Sequence, residues 1–284
     1  MIKKIKKPSA RDFRPIALLN VSYKIYMSFI REEIENHLRR NNQIRDNQIG
    51  FTEGGRIEYN HFILQYIVEK IMKGEELEEK FLVKGDKIRI DSKKVNKIEL
   101  VVVALDYKKA YDSIDRKSLI ETLIKYKIDP IVIDLIAKMY RKDKTKIKML
   151  GVEEEIDITS GIRQGCTVSM ELFKLVTYEI IRKLEEQGNN LIIEGANFSS
   201  LFFADDNLMI TRSVEEAEEN IRIITKISKE FGLEINESKS KVLIYKKVQK
   251  EDINKVGGIE VVRSLRYLGL EGRGVRGEGS KGES

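Results

Sequence analysis

The sequence predicts an α+β fold, and three observations predict it. Residues 98–105 form a β-branched run that is the strongest strand signal in the chain. Residues 201–210 place strand-forming apolar residues on both sides of Ala204-Asp205-Asp206-Asn207, whose turn-forming side chains favour a tight β-hairpin. Much of the remaining chain carries apolar residues at helical spacing. Strands and helices therefore share one chain, as in the α+β class.

The helices are predicted from apolar periodicity and end signals. The first covers residues 22–40 and ends at Asn41-Asn42. Its apolar positions recur at helical spacing: Ile25, Phe29, Ile30, Ile34 and Leu38. The others cover residues 57–72, 116–126, 130–140, 170–187 and 214–231. Ser213 is expected to cap the last helix, and Gly232 to end it.

The segments between the helices are predicted to be strands, loops and a surface insertion. Strands at 147–150 and 155–159 meet at a turn, another strand covers 242–245, and 264–270 form a last strand pair. Residues 73–98 are the most polar interior segment and are expected to form a surface insertion with a small hairpin turning at 84–87. Residues 271–284 are glycine-rich and nearly free of aliphatic residues, so this tail is expected to be disordered.

Composition and charge exclude several classes of protein. The 284 residues are 41% hydrophobic and 35% charged, as in a soluble globular protein, and the net charge of +6 is compatible with a polyanionic partner. One cysteine excludes an internal disulfide framework, and two histidines exclude a Cys/His zinc finger. No run reaches the roughly 18 apolar residues of a membrane span, and the N-terminus lacks the apolar core of a signal peptide. We therefore expect an intracellular protein, nuclear or cytoplasmic and not secreted, with no membrane partner.

Three aspartates are the candidate catalytic residues. Asp106 follows the strand at 98–105, and Asp205 and Asp206 lie at the tip of the predicted hairpin. Adjacent carboxylates on an otherwise buried hairpin repel each other unless a cation lies between them. The alternatives are that Asp205 and Asp206 are ordinary turn residues and that Asp106 caps the following helix.

Basic and glycine-rich segments are candidates for phosphate contact. Residues 1–13 carry five cations against one acid and are either a solvated tail or an arm that contacts phosphates. Residues 48–56 are glycine-rich and precede a helix, an arrangement that lets backbone amides approach a phosphate. They lack the lysine-serine/threonine ending of a P-loop, which excludes a P-loop nucleotide triphosphatase.

Six motifs follow one another between residues 8 and 270. They are Arg14-Pro15-Ile16 with Gln48-Ile49-Gly50-Phe51; Asp106 with Ala110-Tyr111-Asp112; Gly161-Ile162-Arg163-Gln164-Gly165; Phe203-Ala204-Asp205-Asp206; Gly232-Leu233 with Asn236 and Lys239; and Tyr267-Leu268-Gly269. In this order they resemble the reverse transcriptase domain of non-LTR (LINE-type) retrotransposons, as fingers and palm without a thumb. The resemblance implies a right-hand polymerase-like fold, with fingers in residues 1–98 and an antiparallel palm sheet backed by helices in residues 99–270. Residues near 141–165 would contribute further finger elements.

The resemblance implies an RNA-directed DNA polymerase that extends a DNA primer on an RNA template with deoxynucleoside triphosphates. Asp106, Asp205 and Asp206 would be the catalytic acids. Together with the backbone carbonyl of Leu105 they would bind two Mg²⁺ ions, for which Mn²⁺ is a substitute. Asp206 ranks below the other two aspartates as a direct ligand.

The resemblance also implies residues that contact the substrates. Tyr111 would place a ring under the ribose and favour deoxynucleotides; the alternative is an aromatic residue in the core. Gln164 and Gly165 would line the incoming nucleotide and the templating base, and Arg14, Lys7 and Arg56 would contact the triphosphate. Lys239 would donate a proton to pyrophosphate. The primer end would be supported by Tyr267, Leu268 and Gly269. A solvated side chain is the alternative for Lys239.

The chain also departs from the family pattern. Ser169-Met170 stands where the family has Ser-Pro, and because proline favours the first turn of a helix, entry into the helix at 170 is expected to be weaker. A glycine-rich tail stands in place of the helical thumb, no endonuclease domain precedes the palm, and no zinc knuckle follows it. We therefore expect a fragment or decayed copy of a retroelement polyprotein. The alternative functions are a catalytically impaired remnant that only folds or binds nucleic acid, and a group II intron-type reverse transcriptase.

Overall fold

The fold consists of a central mixed sheet with helices and small hairpins around it. The structure is a computed structural model, and it describes residues 17–52, 54–73, 82–83, 86–87, 100–141, 143–149, 152–193, 195–245, 253–267 and 270–273. The helices of this part are α1 (Val21–Arg40), α2 (Ile57–Lys73), α3 (Ala110–Ser113), α4 (Arg116–Lys125), α5 (Pro130–Arg141), α6 (Thr167–Gln187) and α7 (Val214–Glu230). Its strands are β1 (Leu82–Val83), β2 (Asp86–Lys87), β3 (Leu100–Leu105), β4 (Lys144–Met149), β5 (Val152–Asp157), β6 (Ile192–Ile193), β7 (Ala196–Asn197), β8 (Ser200–Phe203), β9 (Asp206–Thr211), β10 (Lys241–Tyr245), β11 (Lys255–Val256), β12 (Ile259–Val262), β13 (Ser264–Tyr267) and β14 (Leu270–Arg273).

Six of these strands form the central sheet, in the order β11-β12-β10-β3-β9-β8. Pairing is antiparallel from β10 through β3 and β9 to β8, as the sequence predicts. However, β12 runs parallel to β10, so the prediction of an antiparallel sheet is wrong at this edge. The reason is that the chain first forms β11 at the edge and then reverses at Gly257 and Gly258, both at positive φ, which brings β12 back beside β10.

β3 lies inside the sheet and is buried on both faces. Val101, Val103 and Leu105 belong to the larger core, to which α1, α4, α5, α6 and α7 contribute. Leu100 and Val102 belong to a second core with residues of α2 and β13. A strand that is buried on both faces needs apolar residues at every position, and this explains why 98–105 is the strongest strand signal in the sequence.

The predicted helices are confirmed, and α1 buries three of its five predicted apolar positions. Its buried residues are Met27, Ile30, Ile34 and Leu38. Ile25 and Phe29 are exposed, because residues 27, 30, 34 and 38 lie on one side of the helix and residues 25 and 29 on the opposite side. Within the described ranges, no helix combines the length and the apolar character needed to cross a membrane.

α6 is the central helix of the larger core, and it begins at Thr167, before the predicted start at 170. Met170 therefore lies inside the first turn and is not the first helical residue. Proline is most favoured at the first helical position, which Thr167 occupies, and the weakening of helix entry stays a prediction. Most positions of α6 from Val168 to Ile181 are buried, and they include the charged residues Glu171 and Lys174.

The small hairpins contain the predicted strands, but the strand ends differ from the predicted ones. β4 and β5 begin about three residues before the predicted strands and pair along their whole length. Exposed cross-strand ion pairs, such as Lys144 with Glu155 at 2.7 Å, line this hairpin, so its strands carry little apolar signal. The predicted hairpin in the polar insertion is confirmed as β1 and β2. The last strand pair is confirmed as well, and β14 continues to Arg273, three residues into the predicted tail. The rest of that tail lies outside the described residues, and its disorder stays a prediction.

Candidate active site

The two adjacent aspartates of the hairpin occupy different structural positions. Phe203 of β8 pairs with Asp206 of β9, so the connecting turn is Ala204-Asp205 alone. Asp206 and Asn207 belong to β9, which corrects the predicted four-residue turn. Since side chains alternate along a strand, this geometry separates the carboxylate at the turn from the one at the start of β9.

Asp106 leaves β3 next to this hairpin. Leu105, the last residue of β3, pairs with Asn207 of β9, so Asp106 lies beside Asp206 at the same edge of the sheet. The metal site that the resemblance implies requires the strand at 98–105 and the hairpin to be neighbours, and this pairing confirms that they are. Asp106, Asp205 and Asp206 are all half-buried, so each carboxylate keeps access to solvent.

The loop after α7 holds Asp106 through several contacts. The Asn236 side chain donates from Nδ2 to Asp106 Oδ2 (3.1 Å), and the Asn236 backbone N–H donates to the Asp106 carbonyl (2.7 Å). The Asp106 backbone N–H donates to Ser240 Oγ (3.1 Å). Lys239 Nζ lies 3.9 Å from Asp106 Oδ2. Asn236 and Lys239 were visible in the sequence as one motif, whereas Ser240 was missed because a serine in a polar loop carries no signal.

A cleft of about 330 Å³ brings several of the predicted residues together. Its lining includes Leu105, Asp106, Asp206, Asn207, Lys239 and Tyr267. Asn207 is fully buried, its Nδ2 donates to Ser200 Oγ (2.9 Å), and its Oδ1 has no hydrogen-bond partner in the described part of the chain. Asp205 does not line this cleft. Of the two acids of the hairpin, Asp206 lines this cleft directly, and Asp205 precedes it at the turn.

The Asp205 carboxylate lies close enough to Tyr111 to affect the pKa of its phenol. The Tyr111 ring stacks on Phe173 of α6, with centroids 4.7 Å apart and planes 6° from parallel. Burial raises the pKa of Tyr111 above its usual value, and repulsion by the Asp205 carboxylate raises it further, so the phenol stays neutral. Tyr111 is half-buried and packs against the larger core, so it contributes to the core and also lies close to a predicted catalytic acid.

The glycine-punctuated loop 160–165 packs on the short helix that carries Tyr111. Gly161 has φ +80°, and a Cβ at this position would lie 2.6 Å from the Asp112 carbonyl oxygen, so only glycine fits. Gln164 donates from Nε2 to Asp112 Oδ1 (3.1 Å). Gly165 also has positive φ. Gln164 is thereby tied to the residue that follows Tyr111, and a substrate site shared by Gln164, Gly165 and Tyr111 stays a prediction.

A buried salt-bridge network anchors the same loop, and no motif in the sequence indicates it. Asp143 is buried and accepts from Arg116 Nη2 (2.7 Å) and from Arg163 Nε (3.0 Å). Arg116 also donates to the carbonyls of Ile158 (2.7 Å) and Gly161 (2.9 Å). Because Asp143 lies within a basic stretch of the sequence, it looks like one exposed charge among many, and no local pattern distinguishes it.

Tyr267, the predicted primer-support residue, is held by α2. Asn60 donates from Nδ2 to the Tyr267 hydroxyl (3.2 Å), and His61 Nε2 lies 3.0 Å from the Tyr267 carbonyl oxygen. Burial, and less strongly the Asp206 carboxylate, raise the pKa of Tyr267. Arg56 is exposed just before α2 and does not line the cleft. Four predicted residues lie outside the described residues: Lys7, Arg14, Leu268 and Gly269.

The donor chemistry at this edge of the sheet suits Mg²⁺, which prefers carboxylate and carbonyl oxygens. However, among the described residues no group of three or more His, Cys, Asp or Glu side chains is gathered closely enough to hold a metal ion. The acids are split between the cleft, which Asp106 and Asp206 share, and the Tyr111 side, where Asp205 acts. The residue types therefore fit a magnesium site, and the two-metal arrangement stays a prediction.

Acids at the ends of neighbouring antiparallel strands, a cleft beneath them and helices behind the sheet define the palm of a nucleic-acid polymerase. The family model described as "Reverse transcriptase (RNA-dependent DNA polymerase)" matches residues 5–271. The chain belongs to this reverse transcriptase family.

Relatives and solved structures agree with this assignment. The chain is 24% identical, over 81% of its length, to the "Retrovirus-related Pol polyprotein from type-1 retrotransposable element R2" of Nasonia vitripennis, and 29% identical, over 54% of its length, to the R2 polyprotein of Bradysia coprophila. It spans only 20% and 17% of those proteins. The prediction of a non-LTR reverse transcriptase domain is thus confirmed.

Among solved structures, apo telomerase from Candida tropicalis matches 89% of the chain with a TM-score of 0.59 at 14% identity, and the chain covers 41% of it. Telomerase from Candida albicans, in complex with a fragment of telomeric RNA, matches 90% of the chain with a TM-score of 0.55 at 11% identity, and the chain covers 38% of it. At these identities the comparison shows the fold, which confirms the predicted fingers and palm architecture.

Proposed function

We propose that this chain extends a DNA primer on an RNA template, adding deoxynucleotides by metal-dependent phosphoryl transfer. The observation that carries the proposal is the position of Asp106 beside the β8–β9 hairpin, over a cleft that Lys239 and Tyr267 also line. The family and the R2 relatives support it. The bound RNA named for the Candida albicans telomerase supports an RNA partner for this fold.

The residues of the site divide the work of the reaction. The carboxylates of Asp106, Asp205 and Asp206 would hold Mg²⁺, which when bound would activate the primer hydroxyl and neutralise charge on the phosphates. Lys239, 3.9 Å from Asp106, would donate a proton to the leaving pyrophosphate. Gln164, held by Asp112, orients the incoming nucleotide. Tyr267, held by α2, supports the primer end.

The direct test is primer extension on an RNA template with Mg²⁺, with deoxynucleotides and ribonucleotides compared. Extension with deoxynucleotides, and its absence when Mg²⁺ is chelated, is expected. The competing function is a remnant that only binds nucleic acid. Protein that is folded by circular dichroism and binds a primer–template duplex, yet extends no primer under any of these conditions, would support that alternative and contradict the proposal.

Tyr111→Ala is expected to weaken the choice of sugar. Removing the ring that stacks on Phe173 would open space for a 2′-hydroxyl, and discrimination against an added hydroxyl by packing is worth on the order of 10². Ribonucleotide incorporation relative to deoxynucleotide incorporation should therefore rise by about that factor in single-nucleotide extension assays. Tyr111→Phe keeps the ring and should keep the selectivity. Equal selectivity in Tyr111→Ala and the wild type would assign Tyr111 to the core alone.

A further inference from the structure

The turn of the β8–β9 hairpin is held by a second segment of the chain, residues 47–50, which we name the brace loop. Phe202 of β8 donates from its N–H to the Asn47 carbonyl (2.6 Å), and Ile49 donates to the Phe202 carbonyl (3.0 Å). A Cβ on Gly50 would overlap the backbone nitrogen of Ala204. The brace loop therefore packs its backbone directly against the turn.

The side chain of Gln48 makes the central contacts of the brace loop. It is buried, and its Oε1 accepts from the backbone N–H of Ala204 (3.0 Å) and of Gly50 (3.0 Å). Its Nε2 donates to the Ala204 carbonyl (3.1 Å) and to Thr177 Oγ1 of α6 (3.0 Å). Both donor hydrogens and both acceptor positions of the amide are thus satisfied. One side chain joins the turn of the hairpin to the central helix.

Gln48 binds Ala204, a turn residue whose backbone has a positive φ. Ala204 has φ +58°, a left-handed conformation that residues other than glycine adopt only when their surroundings enforce it. The Gln48 amide contacts both backbone polar groups of Ala204. Because Asp205 follows Ala204 directly, the direction of the Asp205 carboxylate depends on this turn.

We propose that Gln48 is a positioning residue for the catalytic hairpin: its amide holds Ala204 in the left-handed conformation and thereby fixes the turn that carries Asp205 and leads into Asp206. The proposal rests on the proposed function, in which both acids of the hairpin help to hold Mg²⁺. The competing role is purely structural, since a buried and fully bonded glutamine also stabilises a fold.

Gln48→Met tests the proposal, since it keeps most of the volume and removes all four hydrogen bonds. In the full chain without nucleic acid, hydrogen exchange at the Ala204 amide should accelerate at least about tenfold. Titration with Mg²⁺ alone should show weaker binding. The kcat of primer extension should fall on the order of 10², as expected for a misplaced catalytic group, with the KM for deoxynucleotides changed much less.

Asn47→Ala is the matched control. Asn47 donates from Nδ2 to the carbonyls of Ser200 (3.0 Å) and Asn197 (3.1 Å), so this variant also removes hydrogen bonds of the brace loop but none at the turn. It should lower Tm and leave Ala204 exchange and Mg²⁺ affinity unchanged. If Gln48→Met behaves in the same way, the role of Gln48 is structural and the proposal is overturned.

Two further outcomes can be told apart: Gln48→Met does not fold, or the wild-type chain extends no primer. If Gln48→Met does not fold, Thr177→Val removes one of the four partners of the Gln48 amide, together with the hydrogen bond from Thr177 to the Lys174 carbonyl within α6. Smaller changes of the same sign are expected; unchanged exchange and Mg²⁺ affinity would overturn the proposal. If the wild-type chain extends no primer, the proposed function fails. Exchange at Ala204 and the Mg²⁺ titration then still decide whether Gln48 positions the hairpin.

Discussion

Asp106→Asn is expected to slow primer extension on the order of 10³. A carboxylate that binds the catalytic metal contributes several kcal/mol of transition-state stabilisation, and each 1.36 kcal/mol, roughly, is a factor of ten in rate. The substitution keeps the shape of the side chain beside Asn236 and Lys239 but removes its charge. Single-turnover extension on an RNA template with saturating Mg²⁺ measures the effect.

Asp134→Asn is the matched control for this prediction. Asp134 is an exposed aspartate of α5 whose partner is Lys138 on the same helix, at 2.6 Å, and its loss should not alter extension. Both variants should unfold within about 1 kcal/mol of the wild type, because each changes one solvent-accessible carboxylate. A rate for Asp106→Asn close to that of Asp134→Asn would remove Asp106 from the chemistry and would leave it as a cap for the segment that follows β3.

The central strand and the catalytic hairpin could be predicted because their signals are local. The apolar run at 98–105 reflects a strand that is buried on both faces, and Asp205-Asp206 are flanked by strand-forming residues within a ten-residue window. The palm sheet that the resemblance implies makes Asp106 and the hairpin neighbours. The pairing of Leu105 with Asn207 confirms this.

The contacts that hold the site could not be predicted, because they join residues distant in sequence through side chains without periodicity. Gln48 and Ala204 are 156 residues apart, and a glutamine in a glycine-rich segment is typical of an ordinary loop. The sequence also predicts one turn that carries both acids, with Asp206 ranked below Asp205 as a metal ligand. The two-residue turn instead places Asp206 in β9, facing the cleft with Asp106. The register of a hairpin, which decides this, depends on the turn conformation at Ala204.

Asp143→Ala is expected to lower the free energy of unfolding by about 3–5 kcal/mol, the usual cost of removing one partner from a buried ion pair. The substitution leaves Arg116 and Arg163, which both donate to the buried Asp143 carboxylate, without their common acceptor. This loss is a large fraction of the roughly 5–15 kcal/mol that stabilises a typical domain. Urea denaturation followed by circular dichroism measures it.

Asp134→Ala provides the comparison, since the exposed pair of Asp134 with Lys138 should contribute about 0–1 kcal/mol. The Asp143 network also has a functional readout that a general loss of stability does not share. Arg163 directly precedes Gln164 and Gly165, and Arg116 binds the Gly161 carbonyl, so the loop should lose its fixed position when Asp143 is removed. At a temperature where Asp143→Ala is fully folded, the KM for deoxynucleotides should rise more than the affinity for primer–template falls. Equal unfolding free energies in Asp143→Ala and Asp134→Ala would instead mean that the carbonyl contacts of Arg116 hold the loop without the carboxylate.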